Sequence, residues 1–117
     1  MYEIVNIALM LATIAFGLFG WLAPRFTMKK VGLSADSTNT GVTEVRAASG
    51  ALFVFAGAGA LWLFNPVGFA IIGFMYLGAS IGRLTGILVD KATTKVAWSF
   101  FATEISFALI LLAVNLL

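Results

Sequence analysis

The sequence contains no cysteine and no histidine. The first absence excludes disulfides and thiol nucleophiles. The second removes the base of a Ser-His-Asp arrangement, and together they remove the usual zinc and haem ligands. Only the five carboxylates are left as metal ligands, and no metal or other cofactor is indicated. Charge is scarce as well, at 10% of residues, and the net charge of +2 is too small to argue for nucleic acid. There is no phosphate-binding loop. Gly57-Ala58-Gly59 begins like a dinucleotide fingerprint but lacks its third glycine and lies inside a long apolar run. No catalytic constellation remains, which makes an enzyme the weakest of the functional readings.

Apolar residues take the place of charge. They make up 62% of the 117 residues, against about 45–50% in soluble domains. A soluble fold this small cannot hide that much apolar surface, so the solvent for it is lipid. A spanning helix needs about 20 apolar residues. Residues 4–23 supply the first, closed by Pro24 and Arg25. The flank before it has no Lys or Arg and the run is long for a signal peptide, so this helix reads as retained. Residues 47–82 carry no charge at all. As one helix they would be roughly 54 Å long, against a hydrocarbon core of about 30 Å. The run therefore turns back, and Asn65-Pro66 marks the place: Asn caps, and Pro suits the first helical position. The sequence thus predicts a single all-α membrane domain over residues 1–117, an integral membrane four-helix bundle. Its helices are expected at about 4–23, 44–64, 66–89 and 96–117, with polar loops at 24–43 and 90–95. In the first loop, residues 25–33 mix basic and apolar types and read as lying along the interface, while 34–41 read as exposed.

Arg25, Lys29, Lys30, Lys91 and Lys95 all fall on the loop side, with Arg46 at its edge. The positive-inside rule then places both loops in the cytoplasm and both termini on the non-cytoplasmic side. Trp21 and Trp98 mark one interface and Tyr2 and Trp62 the other, in the manner of aromatic belts.

Arg83 and Glu104 stand inside the third and fourth spans. A charge at the bilayer centre costs about 2.5–3.5 kcal/mol on insertion scales, so such residues face inward and pair. The two lie ten and eleven residues either side of Thr93, the middle of the connecting loop. Helical side chains lean toward the N-terminus, which makes the two heads converge across an antiparallel hairpin. A salt bridge is expected. Glu44 and Arg46 open the second span on the same side, and with them the expectation is a nearly neutral cluster of four charges. A structural lock that fixes helix register is the bland reading, with Glu44 only a first-turn acid and Arg46 only a snorkelling cation. An ion or substrate path is the functional one.

Gly78, Gly82 and Gly86 form a run at four-residue spacing, which lets helices approach closely. A contact inside the chain is the first expectation and one with another chain the second. Gly50 and Gly57, with Gly17 and Gly20, add further small surface. Tyr76 and Ser80 share a helical face with Arg83. They either line a cavity or are hydroxyls satisfied by a neighbouring helix, and Thr13 and Asn115 carry the same ambiguity.

These features resemble domain-of-unknown-function family 4345, small bacterial proteins with four predicted membrane helices. The resembling segments are Thr43-Glu44-Val45-Arg46-Ala47-Ala48-Ser49-Gly50-Ala51-Leu52, Gly82-Arg83-Leu84 with Asp90 after it, and Glu104. The Pro24 end of helix one and Val31-Gly32-Leu33 also fit. The resemblance implies that Glu44, Arg46, Arg83 and Glu104 are the family's own pattern, and it brings no activity. The expected setting is a bacterial cytoplasmic (inner) membrane, and the expected partners are lipid and other membrane subunits or further copies of the chain. Small multidrug transporters have similar length and helix number but carry their acid in the first helix, where this chain has none. The two leading readings are a non-enzymatic helical subunit of a complex or homo-oligomer, and a small-solute or proton-linked transporter, channel or lipophilic-ligand binder using Glu104 and Arg83.

Overall fold

The computed structural model describes residues 2–117 and is all-helical among them. Four helices are long and apolar enough to cross a membrane: Tyr2–Leu22, Thr40–Leu63, Pro66–Val89 and Lys95–Leu116. This is a multi-pass membrane protein. The chain divides into two compact units, residues 7–62 and residues 2–6 with 63–117.

In the first unit, residues 7–22 of α1 (Tyr2–Leu22) lie antiparallel to residues 40–62 of the span built from α3 (Thr40–Arg46), a π-helical turn (Ala47–Ala51) and α4 (Leu52–Leu63). Glycine makes the contact possible. A Cβ built at Gly20 would lie 2.2 Å from the Ser49 carbonyl oxygen, and one at Gly50 would lie 2.5 Å from the Trp21 nitrogen. A Cβ at Gly17 would lie 2.7 Å from Gly50 and Val54 backbone atoms, and one at Gly57 would lie 2.9 Å from the Ile14 side chain and 3.3 Å from the Met10 carbonyl oxygen. The widened π turn falls at the tightest part of this approach. Such turns carry one extra residue and re-aim the helix beyond them.

This span starts at Thr40, four residues before the sequence reading placed it. The polar run Thr40-Gly41-Val42-Thr43 looks like loop, yet Val42 and Val45 bury with Met28 in a small apolar cluster. Met28 belongs to α2 (Pro24–Val31), a helix inside the stretch first read as loop. Pro24 begins it, and Gly32 ends it at φ 82°, in the left-handed region, with its N–H donating to the Met28 carbonyl. Beyond α2, the Asp36 carboxylate accepts from the Thr38 hydroxyl at 2.6 Å and the Thr38 N–H at 2.9 Å. These two bonds, the hydroxyl first, hold Asp36 below its ordinary pKa of 3.8. The sign follows: this turn is favoured above the unfolded-state value and loses its support as pH falls through the lower folded one. A carbon-detected NMR titration is expected to place the Asp36 midpoint below that of Asp36 in a Thr38→Ala protein. Equal midpoints would remove the assignment.

In the second unit, α5 (Pro66–Val89) and α6 (Lys95–Leu116) form an antiparallel hairpin. The Asn65 side chain accepts from the Val67 N–H at 2.8 Å, with Pro66 next in line, as that dipeptide predicts. Thr94 caps α6 by accepting from the Ala97 N–H at 3.2 Å. Between them Lys91 takes φ 57°, and the Asp90 and Ala92 N–H groups donate to the Gly86 carbonyl to close α5. α6 packs along the face of α5 that carries Gly73 and Tyr76. A Cβ at Gly73 would lie 3.1 Å from Leu111 and Leu112, and the Tyr76 ring meets Phe107 edge-on at 5.2 Å.

Candidate charge site

The α5–α6 register brings Arg83 and Glu104 together. Arg83 Nε donates to Glu104 Oε1 and Nη2 donates to Oε2 at 3.2 Å, a bidentate ion pair. The guanidinium also lies over the Phe100 ring, 5.1 Å from its centroid. Phe100 precedes Glu104 by one helical turn, so α6 offers the cation an aromatic face and a carboxylate from the same side. The arrangement is asymmetric. The Glu104 side chain is 11% exposed and that of Arg83 is 34% exposed. The acid is therefore the member that depends most on its partner.

Glu44 and Arg46 belong to the other unit. Glu44 is exposed, and Arg46 Nη1 donates to the Trp21 carbonyl of α1 at 2.7 Å. That bond ties the loop-side ends of the first hairpin, with a backbone acceptor rather than a carboxylate.

Ser80, fully buried, donates to the Leu77 carbonyl at 2.8 Å. Tyr76 is buried against Phe107. Thr13 on α1 is fully buried and donates to the Leu9 carbonyl at 2.8 Å. Among the described residues no buried side-chain nitrogen or oxygen is left without a hydrogen-bond partner.

The second unit also holds an amide clasp that sequence reasoning missed. Asn6 Nδ2 donates to Asn115 Oδ1 at 2.9 Å, and Asn115 Nδ2 donates back to Asn6 Oδ1 at 2.8 Å. Asn115 also donates to the Leu111 carbonyl at 2.8 Å. The signal for it was present: one amide lies near each end of the chain, within the first and last of the span-length helices.

The glycine run behaves unlike the other glycines. Gly50 and Gly57 sit at the tight contact of the first unit. A Cβ at Gly78 or Gly82 would meet nothing within 4 Å, and one at Gly86 would meet only the Asp90 carboxylate, at 3.8 Å. Among the described residues, α6 makes no close contact with this run. α6 takes the Tyr76 face of α5 instead, where an aromatic ring and several aliphatic side chains bury more surface than three glycines offer.

Comparison with known proteins adds one finding. The family model described as a domain of unknown function (DUF4345) matches residues 1–115, essentially the whole chain. No curated protein and no solved structure matches.

Proposed function

The chain belongs to the DUF4345 family, and from that premise we propose that it is a non-enzymatic helical subunit, working in a larger membrane complex or as a homo-oligomer. The open glycine face of α5 carries this reading. Small residues at four-residue spacing favour close helix contact because backbones can approach and pack. Where this chain packs tightly on itself, added methyls would strike backbone. At Gly78 and Gly82 they would strike nothing. The face is shaped for close contact with another helix. Arg83 and Glu104 act in this reading as a lock that sets the register of α5 against α6, and so the aim of the open face. The setting is the bacterial cytoplasmic membrane, with residues 24–43 and 90–95 in the cytoplasm, in accord with their lysines and arginines.

The test is the mass of the assembly extracted in mild detergent from its native membrane. A fixed-ratio complex or homo-oligomer is expected, reduced to the monomer when Gly78 and Gly82 are both replaced by leucine, with helix content unchanged. A wild-type protein that emerges alone as a monomer would overturn the proposal.

One observation favours a second reading, a small transporter or binder of a lipophilic ligand. A third of the Arg83 side chain is exposed, so the ion pair is open to a visiting group. Proton- or solute-linked flux that depends on Glu104 would mark that activity.

A further inference from the structure

α2 has two dissimilar sides. At about 100° per residue, Pro24, Met28 and Val31 fall within roughly 60° of one another. Pro24 and Met28 are buried, Met28 against Val42 and Val45, so this side is pinned to the start of the second span. Arg25, Phe26, Lys29 and Lys30 occupy the opposite arc and are exposed. No acid occurs from Pro24 until Asp36.

The exposed side is neither purely polar nor purely apolar. Phe26 is 52% exposed and lies between Lys29 and Lys30 on the helical wheel. Its ring stands 5.9 Å from that of Phe19, itself a half-exposed residue of the span-length helix α1. The Lys30 ammonium lies over the Phe26 ring, 5.5 Å from the centroid. Arg25 Nη2 reaches the Asn39 side-chain oxygen at 3.2 Å. The order in space is thus an exposed ring on α1, a ring on α2 against it, and the Lys30 ammonium above the second ring. A single non-helical residue, Ala23, separates the two helices, so α2 begins where the span ends.

We infer that this face of α2 is a docking surface for anionic phospholipid headgroups. The rings sit at the acyl boundary and Arg25, Lys29 and Lys30 meet the phosphodiester layer. An aromatic anchor flanked by cations, with no acid in the helix itself, is the pattern of a helix lying in the interface plane. Each cation near an anionic membrane surface favours it by a factor of about five, corresponding to about 1 kcal/mol. A protein partner would have to cover Phe26 on the side already bordered by Phe19, an exposed residue of a helix apolar enough to span, which is why lipid is the occupant assigned. The inference does not rest on the subunit reading.

The experiment uses the full chain with Trp62→Phe and Trp98→Phe, leaving Trp21 next to α2 as the only indole. It is reconstituted in phosphatidylcholine vesicles containing brominated phosphatidylglycerol or, at equal mole fraction, brominated phosphatidylcholine. Bromine quenches a nearby indole. Quenching by the anionic lipid is expected to exceed that by the zwitterionic one about twofold or more at low salt and to decline as salt screens the charges. In an Arg25→Gln, Lys29→Gln, Lys30→Gln protein the ratio should fall to about one, with unbrominated emission unchanged as the folding control. Should that triple variant misfold, Lys29→Gln and Lys30→Gln singly are expected to give intermediate ratios. Equal quenching by the two lipids in the wild type overturns the inference, as does a preference that survives loss of the cations. Saturable binding of polyglutamate without any lipid preference would overturn it in favour of an acidic protein partner.

Discussion

Replacing Gly20 with alanine is expected to be among the most damaging single-methyl changes this chain can suffer. The new carbon would lie 2.2 Å from the Ser49 carbonyl oxygen and 2.7 Å from the Ser49 carbonyl carbon. Both are backbone atoms in the π turn, so no side-chain rotation relieves the clash, and α1 must move away from Thr40–Leu63 as a body. Overpacking of this kind costs about 1–3 kcal/mol and occasionally more, and a backbone obstacle places Gly20 at the upper end. Gly50→Ala should behave alike, because its methyl would strike the Trp21 backbone at 2.5 Å. Gly82→Ala is the internal control. Within the isolated chain it meets nothing, and in the dissociated monomer the usual preference of helices for alanine over glycine, about 1 kcal/mol, makes it neutral or slightly stabilising. Denaturation in mixed micelles, followed by circular dichroism in dilute detergent, ranks the three. Equal stability of Gly20→Ala and Gly82→Ala would mean that the helices do not approach as closely as described.

The second large effect is at the ion pair. Glu104→Gln leaves the Arg83 guanidinium cationic against Phe100 without its carboxylate. Breaking a fully buried pair from one side costs about 3–5 kcal/mol, and the one-third exposure of Arg83 brings the expected loss to about 2–3 kcal/mol. Replacing both residues by methionine removes the charges together and should recover stability to within about 1 kcal/mol of the wild type, since well-packed apolar pairs often match buried ionic ones. A double variant as damaged as the single ones would rule out a simple pairwise lock. The same Glu104→Gln protein, once shown to be folded in liposomes, separates the two functional readings. Unchanged flux, or none in the wild type, removes the transport reading. Flux lost with stability retained removes the purely structural one.

These two predictions rest on different amounts of prior information. Arg83 and Glu104 were placed opposite each other from residue numbers alone. A short hairpin loop between two uninterrupted helices fixes depth, and the lean of helical side chains fixes direction. The four spans were equally legible, because about 20 apolar residues without charge have few alternatives to lipid, and Asn65-Pro66 announced its own turn. Membership of the family followed from short motifs spread along the same spans.

Faces were not legible in the same way. A glycine run states that something can come close, but not what. Only the packing showed that Gly20 and Gly50 are spent on a contact inside the chain while Gly78 and Gly82 are left open, because α6 gains more by covering Tyr76 and Gly73. The Asn6–Asn115 clasp depends on residues 109 apart in sequence, a distance at which no local pattern operates. α2 was hidden for a related reason. Eight mixed residues carry too little periodicity to declare a helix, and it forms because Met28 finds Val42 and Val45. The sequence by itself determined the membrane class, the number of helices long enough to span and the register of Arg83 against Glu104, since all three follow from local composition and chain geometry. The tertiary structure decided which sides of the helices are used up and which remain open, since that depends on the competition among distant surfaces for the same neighbour.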